Sequence, residues 1–107
     1  MTAEEAQPEY VNHAPPGPYN ATLVSVTRTN GLPKAFVFSF EVDVGWGRII
    51  RRKYKCRLMS SEQWRLDQIL GALGVLRGEE DQGVGRVVGV QLRGTEVSEI
   101  DSCWRLV

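Results

Sequence analysis

Hydrophobic and polar side chains alternate in three successive segments of this chain, a pattern that predicts β-strands with one buried face. The segments cover residues 19–29, 35–44 and 48–59. In the first segment the apolar positions change phase between Leu23 and Val24, which predicts a β-bulge in a long, bent strand. In the second segment the even positions are apolar and predict the core face: Phe36, Phe38, Phe40, Val42 and Val44.

The spacing of apolar residues becomes helical after Met59. The residues that predict the buried stripe of this helix are Leu66, Ile69, Leu70 and Leu73. Ser60 is predicted as the N-cap, with Gln63 completing a capping box, and Gly74 is typical of the position that follows the last turn. Trp64 falls on the side of the helix opposite the buried stripe, so it needs a separate explanation.

Two more strands are predicted after the helix. The fourth strand has a buried face of Val88, Val90 and Leu92. For the last strand, residues 100–107, two inward-facing sets stay open, namely Trp104 with Leu106 or Cys103 with Val107. The predicted class is all-β of the OB type, a five-stranded Greek-key barrel with one α-helix between strands 3 and 4. An open α+β sheet covered by one helix contains the same elements and is the alternative.

The length of 107 residues is that of one domain with one modest core. Prolines and glutamates without apolar periodicity predict a flexible N-terminal arm over residues 1–17, followed by a single OB-fold domain over 18–107. Because the sequence has no membrane-length apolar run and no leader-like start, we expect a cytoplasmic protein. Cys56 and Cys103 are far apart and lie in predicted strands, which favours buried reduced thiols.

The sequence contains no motif typical of an enzyme or a metal site. It has no glycine-rich phosphate loop, no Gly-x-Ser-x-Gly and no Cys/His cluster, and its one histidine, His13, lies in the predicted arm. We therefore expect no catalytic activity, no metal and no cofactor.

Basic residues are concentrated in the third predicted strand, although the chain has 13 basic and 13 acidic residues in total. The odd positions of this strand form what is called here the cationic row: Arg51, Lys53, Lys55 and Arg57. At about 3.3 Å per residue the row spans roughly 20 Å, and Arg48 precedes it. Cations placed along a strand can follow the phosphates of a single-stranded nucleic acid.

Three aromatic residues are candidates for stacking on bases, as such binders require. They are Trp46 at a glycine-flanked hairpin tip, Tyr54 beside the cationic row, and Trp64 on the outer side of the helix. Each has a structural alternative as well. Tyr54 has the parity of buried positions, Trp46 can pack on its own turn, and Trp64 can lie over Met59.

The cationic row also has a structural alternative. If the second and third strands pair with like parity in register, Glu41 and Asp43 face Arg51 and Lys53 and form cross-strand ion pairs. Exposed pairs of this kind contribute only about 0 to 1 kcal/mol, and the row would then be a solvated surface.

Several short stretches of this sequence follow one spaced pattern of small, apolar and aromatic residues. The stretches are PGPYNATL at 16–23, GLP at 31–33, FSFEV at 38–42, GR at 47–48 and WRL at 64–66. Over about residues 16–93 the chain thereby resembles small phage-encoded OB-fold proteins that accompany replication and recombination genes. The resemblance implies single-stranded DNA binding by a homo-oligomer in the host cytoplasm, with replication or recombination proteins as partners and the face of strands 2 and 3 as the groove.

The two ends of the chain add further expectations. Its last residues, CWRLV at 103–107, are not the acidic tip through which bacterial single-strand binders recruit partners, so we expect no recruitment by that route. Glu4, Glu5 and Glu9 in the arm lead to the hypothesis that the arm competes with DNA for the cationic row. The alternative function is an OB-like protein-interaction or viral assembly module without nucleic-acid binding, which zero net charge and an outward Trp64 favour.

Overall fold

The computed structural model describes residues 8–32, 34–93 and 100–106. The strands and the helix are β1 (Glu9–Tyr10), β2 (Gly17–Thr29), β3 (Ala35–Gly45), β4 (Arg48–Arg57), α1 (Gln63–Leu73), β5 (Val87–Leu92) and β6 (Ile100–Trp104). Short 3-10 helices at Ser60–Glu62 and Glu80–Gly83 precede α1 and β5. None of the helices in these segments has the length and apolar character needed to cross a membrane.

The strands of the described segments form one sheet in the order β1-β4-β3-β2-β5-β6, and this sheet is not closed. All neighbouring strands are antiparallel except β1, which runs parallel to β4. The predicted bulge in β2 is confirmed by a register shift between Leu23 and Ser25. The structure is thus a mostly β domain with one helix between β4 and β5. Its described residues form six strands in an open sheet rather than the five of the predicted closed barrel.

The core lies between the inner face of the sheet and α1. The predicted stripe of α1 is buried, and its side chains pack against inner-face residues such as Leu23, Phe38, Phe40, Val42, Ile50, Val88 and Val90. Phe36 and Val44 were predicted on the same face but are only partly buried, because they lie near the two ends of β3. The guanidinium of Arg28 lies over the Phe36 ring, 5.0 Å from its centroid.

The helix ends as predicted but begins differently. The predicted capping box is wrong, because Ser60 opens a 3-10 turn and α1 starts only at Gln63. Glu62, which stands before α1, makes no capping hydrogen bond with its side chain. Its Oε1 instead accepts a hydrogen bond from the backbone N–H of Arg57 at 3.2 Å. At the other end Gly74 has φ 72°, and its N–H donates to a carbonyl of the last turn at 2.8 Å.

Part of the segment predicted as an arm lies along the free edge of β4. The backbone N–H of Glu9 donates to the carbonyl of Gly47 and that of Val11 to the carbonyl of Ile49, both at 2.9 Å. Ala14 is buried in the core cluster. The acidic residues Glu4 and Glu5 lie outside the described residues.

The Gln68 side chain of α1 bridges β4 and β6 where no backbone ladder joins them within the described strands. Its Oε1 accepts hydrogen bonds from the Tyr54 hydroxyl at 3.0 Å and from the backbone N–H of Cys103 at 3.1 Å. Cys103 is buried, whereas Trp104 is 39% exposed, so of the two open alternatives for the last strand the Cys103 side faces the core. Val107, the other member of the predicted Cys103 set, lies outside the described residues.

Trp104 packs on β5 from the outer face of the sheet. It is the cross-strand partner of Gly89, and a Cβ atom built on Gly89 would lie 2.1 Å from the indole Nε1. The glycine therefore provides the space in which this indole lies.

Candidate nucleic-acid interface

The cationic row lies on the outer face of β4. Arg51, Lys53 and Arg57 are exposed and Lys55 is half-buried, while Tyr54 and Cys56 between them are fully buried. This separation follows from the two-residue period of a strand whose other face covers the core. Arg48 is exposed at the start of the same strand.

Arg52 departs from this alternation because it has inner-face parity but is charged. It is half-buried, and its guanidinium donates to the carbonyl of Asn12 at 2.9 Å and to that of Arg51 at 2.8 Å. Burial lowers the pKa of this guanidinium. Arg52 thus holds the segment before β2 against β4 at the end of the core.

Among the described residues, carboxylates lie near the two ends of the cationic row and not near its middle. The Nε of Arg51 is 3.6 Å from Glu41 Oε2, and the Nε of Arg57 is 3.7 Å from Glu62 Oε2. In the middle of the row the cross-strand neighbours are uncharged, since Lys53 faces Ser39 and Lys55 faces Val37. Within the described part of the chain no carboxylate lies within 4.0 Å of either lysine amine.

The predicted ladder of cross-strand ion pairs is therefore only half formed. Glu41 pairs with Arg51 in register, but Asp43 faces Ile49 and not Lys53. Antiparallel strands run in opposite directions, so the residue two after Glu41 pairs with the residue two before Arg51. With Glu41 opposite Arg51, an in-register pair between Asp43 and Lys53 is therefore not possible. Lys53 is left facing solvent.

Tyr10 of β1 covers one end of the row. The Arg51 guanidinium lies over the Tyr10 ring, 4.4 Å from its centroid, and the Tyr10 hydroxyl donates to Glu41 Oε2 at 2.9 Å. Pairing of β1 with β4 brings this ring to the row. No periodicity in residues 8–16 indicated this contact.

Trp46 projects from the tip of the β3–β4 hairpin and is 94% exposed. Trp46 and Gly47 have φ 59° and 72°, the positive values that a two-residue type I′ turn requires. The Asp43 Oδ1 accepts a hydrogen bond from the N–H of Gly45 at 2.9 Å and supports the turn. At this exposure the alternative that Trp46 packs on its own turn is wrong, and the indole is available to a ligand.

Trp64 is 56% exposed in the first turn of α1, and its neighbour Arg65 connects the helix to β4. The Arg65 guanidinium lies 5.6 Å from the Trp64 ring centroid and 4.3 Å from that of Tyr54, and its Nε donates to the Lys55 carbonyl at 3.1 Å. A cleft of about 220 Å³ here is lined by Lys55, Arg57, Glu62 and Arg65. Arg65 was not predicted as a site residue, although its position beside Trp64 was a signal.

Tyr54 is a correction to the predicted site. Its side chain is fully buried, and its hydroxyl lies 2.9 Å from the Arg65 carbonyl and 3.0 Å from Gln68 Oε1. Burial raises the pKa of this phenol. A ring in this position cannot stack on a base at the outer face, so we remove Tyr54 from the candidate site.

The bulge in β2 opens a groove beside the first half of the row. The groove has a volume of about 430 Å³ and is lined by Val24, Ser39, Phe40, Glu41, Arg51, Arg52 and Lys53. Val24, at the bulge, is 48% exposed. A second depression of about 580 Å³ includes Trp46 and Arg48 in its lining. The outer face thus combines cations, indole rings and a partly apolar groove.

Comparison of this chain with protein-family models, with curated proteins and with solved structures finds no match.

Proposed function

We propose that this chain binds single-stranded DNA with little sequence preference, in the replication or recombination of a phage or mobile element. The observation that carries the proposal is the middle of the cationic row, where Lys53 and Lys55 face uncharged neighbours on β3. A cation that is already paired has to give up its carboxylate before it binds phosphate, whereas these two amines have no carboxylate within 4.0 Å among the residues that the structure describes. The exposed Trp46 supplies the aromatic surface that such binding also requires.

The fold that we propose is an OB-type barrel that is open between β4 and β6. Five of the strands occur in the order β4-β3-β2-β5-β6, with the long β2 between the two halves and one helix following β4. A partly open, five-stranded barrel with one helix is the OB arrangement. We further propose a homo-oligomer, as the resemblance to phage proteins implies.

In the proposed complex the phosphates follow the outer face of β4. Alternate residues of a strand lie about 6.6 Å apart, which is on the order of one nucleotide of an extended chain. Arg51, Lys53, Lys55 and Arg57 would each neutralise one phosphate, and a base would stack on Trp46. Each stacked base contributes about 1 to 3 kcal/mol.

A titration with oligo-dT at several salt concentrations tests this proposal. Neutralisation of four phosphates predicts a slope of log K against log salt of about −2.8, from about −0.7 per phosphate. The affinity should then weaken about 50-fold between 50 and 200 mM salt. Tryptophan fluorescence should be quenched on binding, and less so in Trp46→Ala. An affinity that does not change with salt would contradict the proposal.

A charge-matched pair of variants tests the location of the site. Lys53→Ser/Lys55→Ser removes the two cations from the middle of the row and should make the salt slope shallower by about 1.4. The control Arg93→Ser/Arg105→Ser removes the same formal charge from exposed positions that follow β5 and β6, of which Arg93 is ion-paired with Asp101. If the control lowers the slope as much as the lysine variant, binding is not located on β4.

The alternative function, a protein-interaction or assembly module, is favoured by exposed apolar side chains that are not part of the row. Leu32 is 98% exposed and Leu76 is 71% exposed. Such a module would bind no oligonucleotide at 50 mM salt and would show no change in tryptophan emission in the titration described above. That result would favour the alternative over DNA binding.

A further inference from the structure

Glu41 is out of place in a surface that serves only to attract phosphates. It lies at the centre of the outer face, where β2, β3 and β4 adjoin, and it lines the groove beside the bulge. A carboxylate in this position repels phosphates and weakens binding that depends on charge alone. Its presence points to a second role for the groove.

The two oxygens of Glu41 differ in their surroundings. Oε2 accepts a hydrogen bond from the Tyr10 hydroxyl at 2.9 Å and lies 3.6 Å from the Arg51 Nε. For Oε1 the described residues provide no hydrogen-bond donor. The Tyr10 and Arg51 contacts fix the carboxylate while one oxygen keeps its capacity to accept a bond from a ligand.

We propose that the groove receives one base and that Glu41 makes it prefer cytosine to thymine. The inference rests on the proposed DNA binding and names the base that this part of the surface selects. A carboxylate accepts a hydrogen bond from the N4 amino group of cytosine, which is the usual pairing of Glu and Asp with this base. Thymine has a carbonyl oxygen, O4, in the same position, and the carboxylate repels it.

The other residues of the groove fit the remaining parts of a pyrimidine. Arg51 and Lys53, which line the groove, are donors for the ring N3 and O2 acceptors of cytosine. Val24, 48% exposed at the bulge, offers an apolar contact for the ring face. The groove therefore brings an acceptor, donors and an apolar surface together within a volume of about 430 Å³.

The competing explanation is that Glu41 only balances the charge of Arg51. The two explanations predict different results for Glu41→Gln. Loss of a charge-balancing carboxylate raises the affinity for all sequences by the same factor. Loss of an acceptor that contacts the base changes the ratio of the affinities for two sequences. When the amide oxygen of Gln takes the place of Oε2 beside Tyr10 and Arg51, the amide nitrogen takes that of Oε1 and donates to thymine O4.

The experiment measures the affinity of the full chain for oligo-dC and oligo-dT of equal length at pH 7.5 and 50 mM salt. The unchanged protein should bind oligo-dC about fivefold more tightly. Glu41→Gln should reduce the ratio to one or less, chiefly by strengthening oligo-dT binding. Glu79→Gln is the matched control, because it makes the same change at an exposed position outside the groove and should keep the fivefold ratio.

Equal binding of the two oligonucleotides by the unchanged protein would overturn this inference and leave the proposed function in place. A Glu41→Gln variant that binds both more tightly by the same factor would also overturn it. If the unchanged protein binds neither oligonucleotide, the proposed function fails and the base preference fails with it. Thermal unfolding of both variants checks that they fold as the unchanged protein does.

Discussion

The two faces of β4 differ in how their side chains are held. On the inner face Tyr54 and Cys56 are fully buried, and the Tyr54 hydroxyl has two hydrogen-bond acceptors within 3.0 Å. On the outer face Lys53 and Lys55 lie opposite uncharged residues, without a carboxylate within 4.0 Å in the described segments. In β4, residues of one parity thus serve stability and residues of the other parity are proposed to bind the ligand. We expect inner-face substitutions to change stability and outer-face substitutions to change binding.

Tyr54→Ala should have the largest effect on stability. Removing a fully buried aromatic ring costs about 3 to 5 kcal/mol of unfolding free energy, through lost packing and the cavity that is left. Urea unfolding measures the loss. Tyr54→Phe is the control, since it keeps the ring and should cost only about 1 kcal/mol. A small loss in Tyr54→Ala would mean that the inner face does not depend on this ring.

Alkaline pH should lower the free energy of unfolding through the two buried thiols. Burial raises the pKa of both Cys56 and Cys103 from 9.0 to about 12. The unfolded chain therefore releases these protons first, and the stability that is complete below pH 9 is lost as the pH rises towards 12. We expect a loss of roughly 1 kcal/mol per thiol between pH 9 and 10.

Unfolding in urea between pH 8 and 10 measures this loss. The variant Cys56→Ala/Cys103→Ala, whatever its stability at pH 8, should show a shallower decline with pH. An identical decline in both proteins would assign the effect to other groups.

Gly89→Ala is an outer-face substitution that we nevertheless expect to lower the free energy of unfolding. A Cβ at this position would lie 2.1 Å from the indole nitrogen of Trp104, so the ring has to move. Because Trp104 is 39% exposed and able to turn aside, we expect a loss of about 1.5 kcal/mol, at the low end for overpacking. Urea unfolding measures the loss, and a red shift of tryptophan emission should accompany it. Gly31→Ala, with no atom within 4 Å of its Cβ, is the control.

Lys53→Ser/Lys55→Ser should have the smallest effect on stability. Lys53 is exposed and Lys55 is only half-buried, and neither is ion-paired in the described residues, so the free energy of unfolding should change by no more than about 0.5 kcal/mol. The same variant is the one expected to lose affinity for oligo-dT. A loss of stability comparable with that of Tyr54→Ala would show that the two faces are not independent.

Patterns within single elements predicted the structure well. The parity of β3 and β4, the bulge in β2, the buried stripe of α1 and the left-handed Gly74 all depend on neighbours close in sequence. The capping box failed because Ser60 entered a 3-10 turn, while the side chain of Glu62 took the Arg57 N–H.

Features that depend on contacts between elements were not predicted. β1 is only two residues long and is held by backbone hydrogen bonds, so its side chains form no alternating pattern that predicts a strand. Arg65 became part of the candidate site because α1 lies against β4. Which cations of the row are ion-paired depended on the antiparallel register, which places Asp43 opposite Ile49 and leaves Lys53 opposite Ser39. Half of the expected ion pairs were lost through this register.

The side-chain amide of Gln68, which bridges β4 and β6, also has a consequence for dynamics. The Cys103 N–H is held by the side chain of Gln68 rather than by the backbone of a neighbouring strand. Rotation of that one side chain exposes this N–H while β6 stays paired with β5, so the amide should exchange without global unfolding. Hydrogen exchange should therefore be faster at Cys103 than at the Val42 amide in the centre of β3, and Gln68→Ala should accelerate it further.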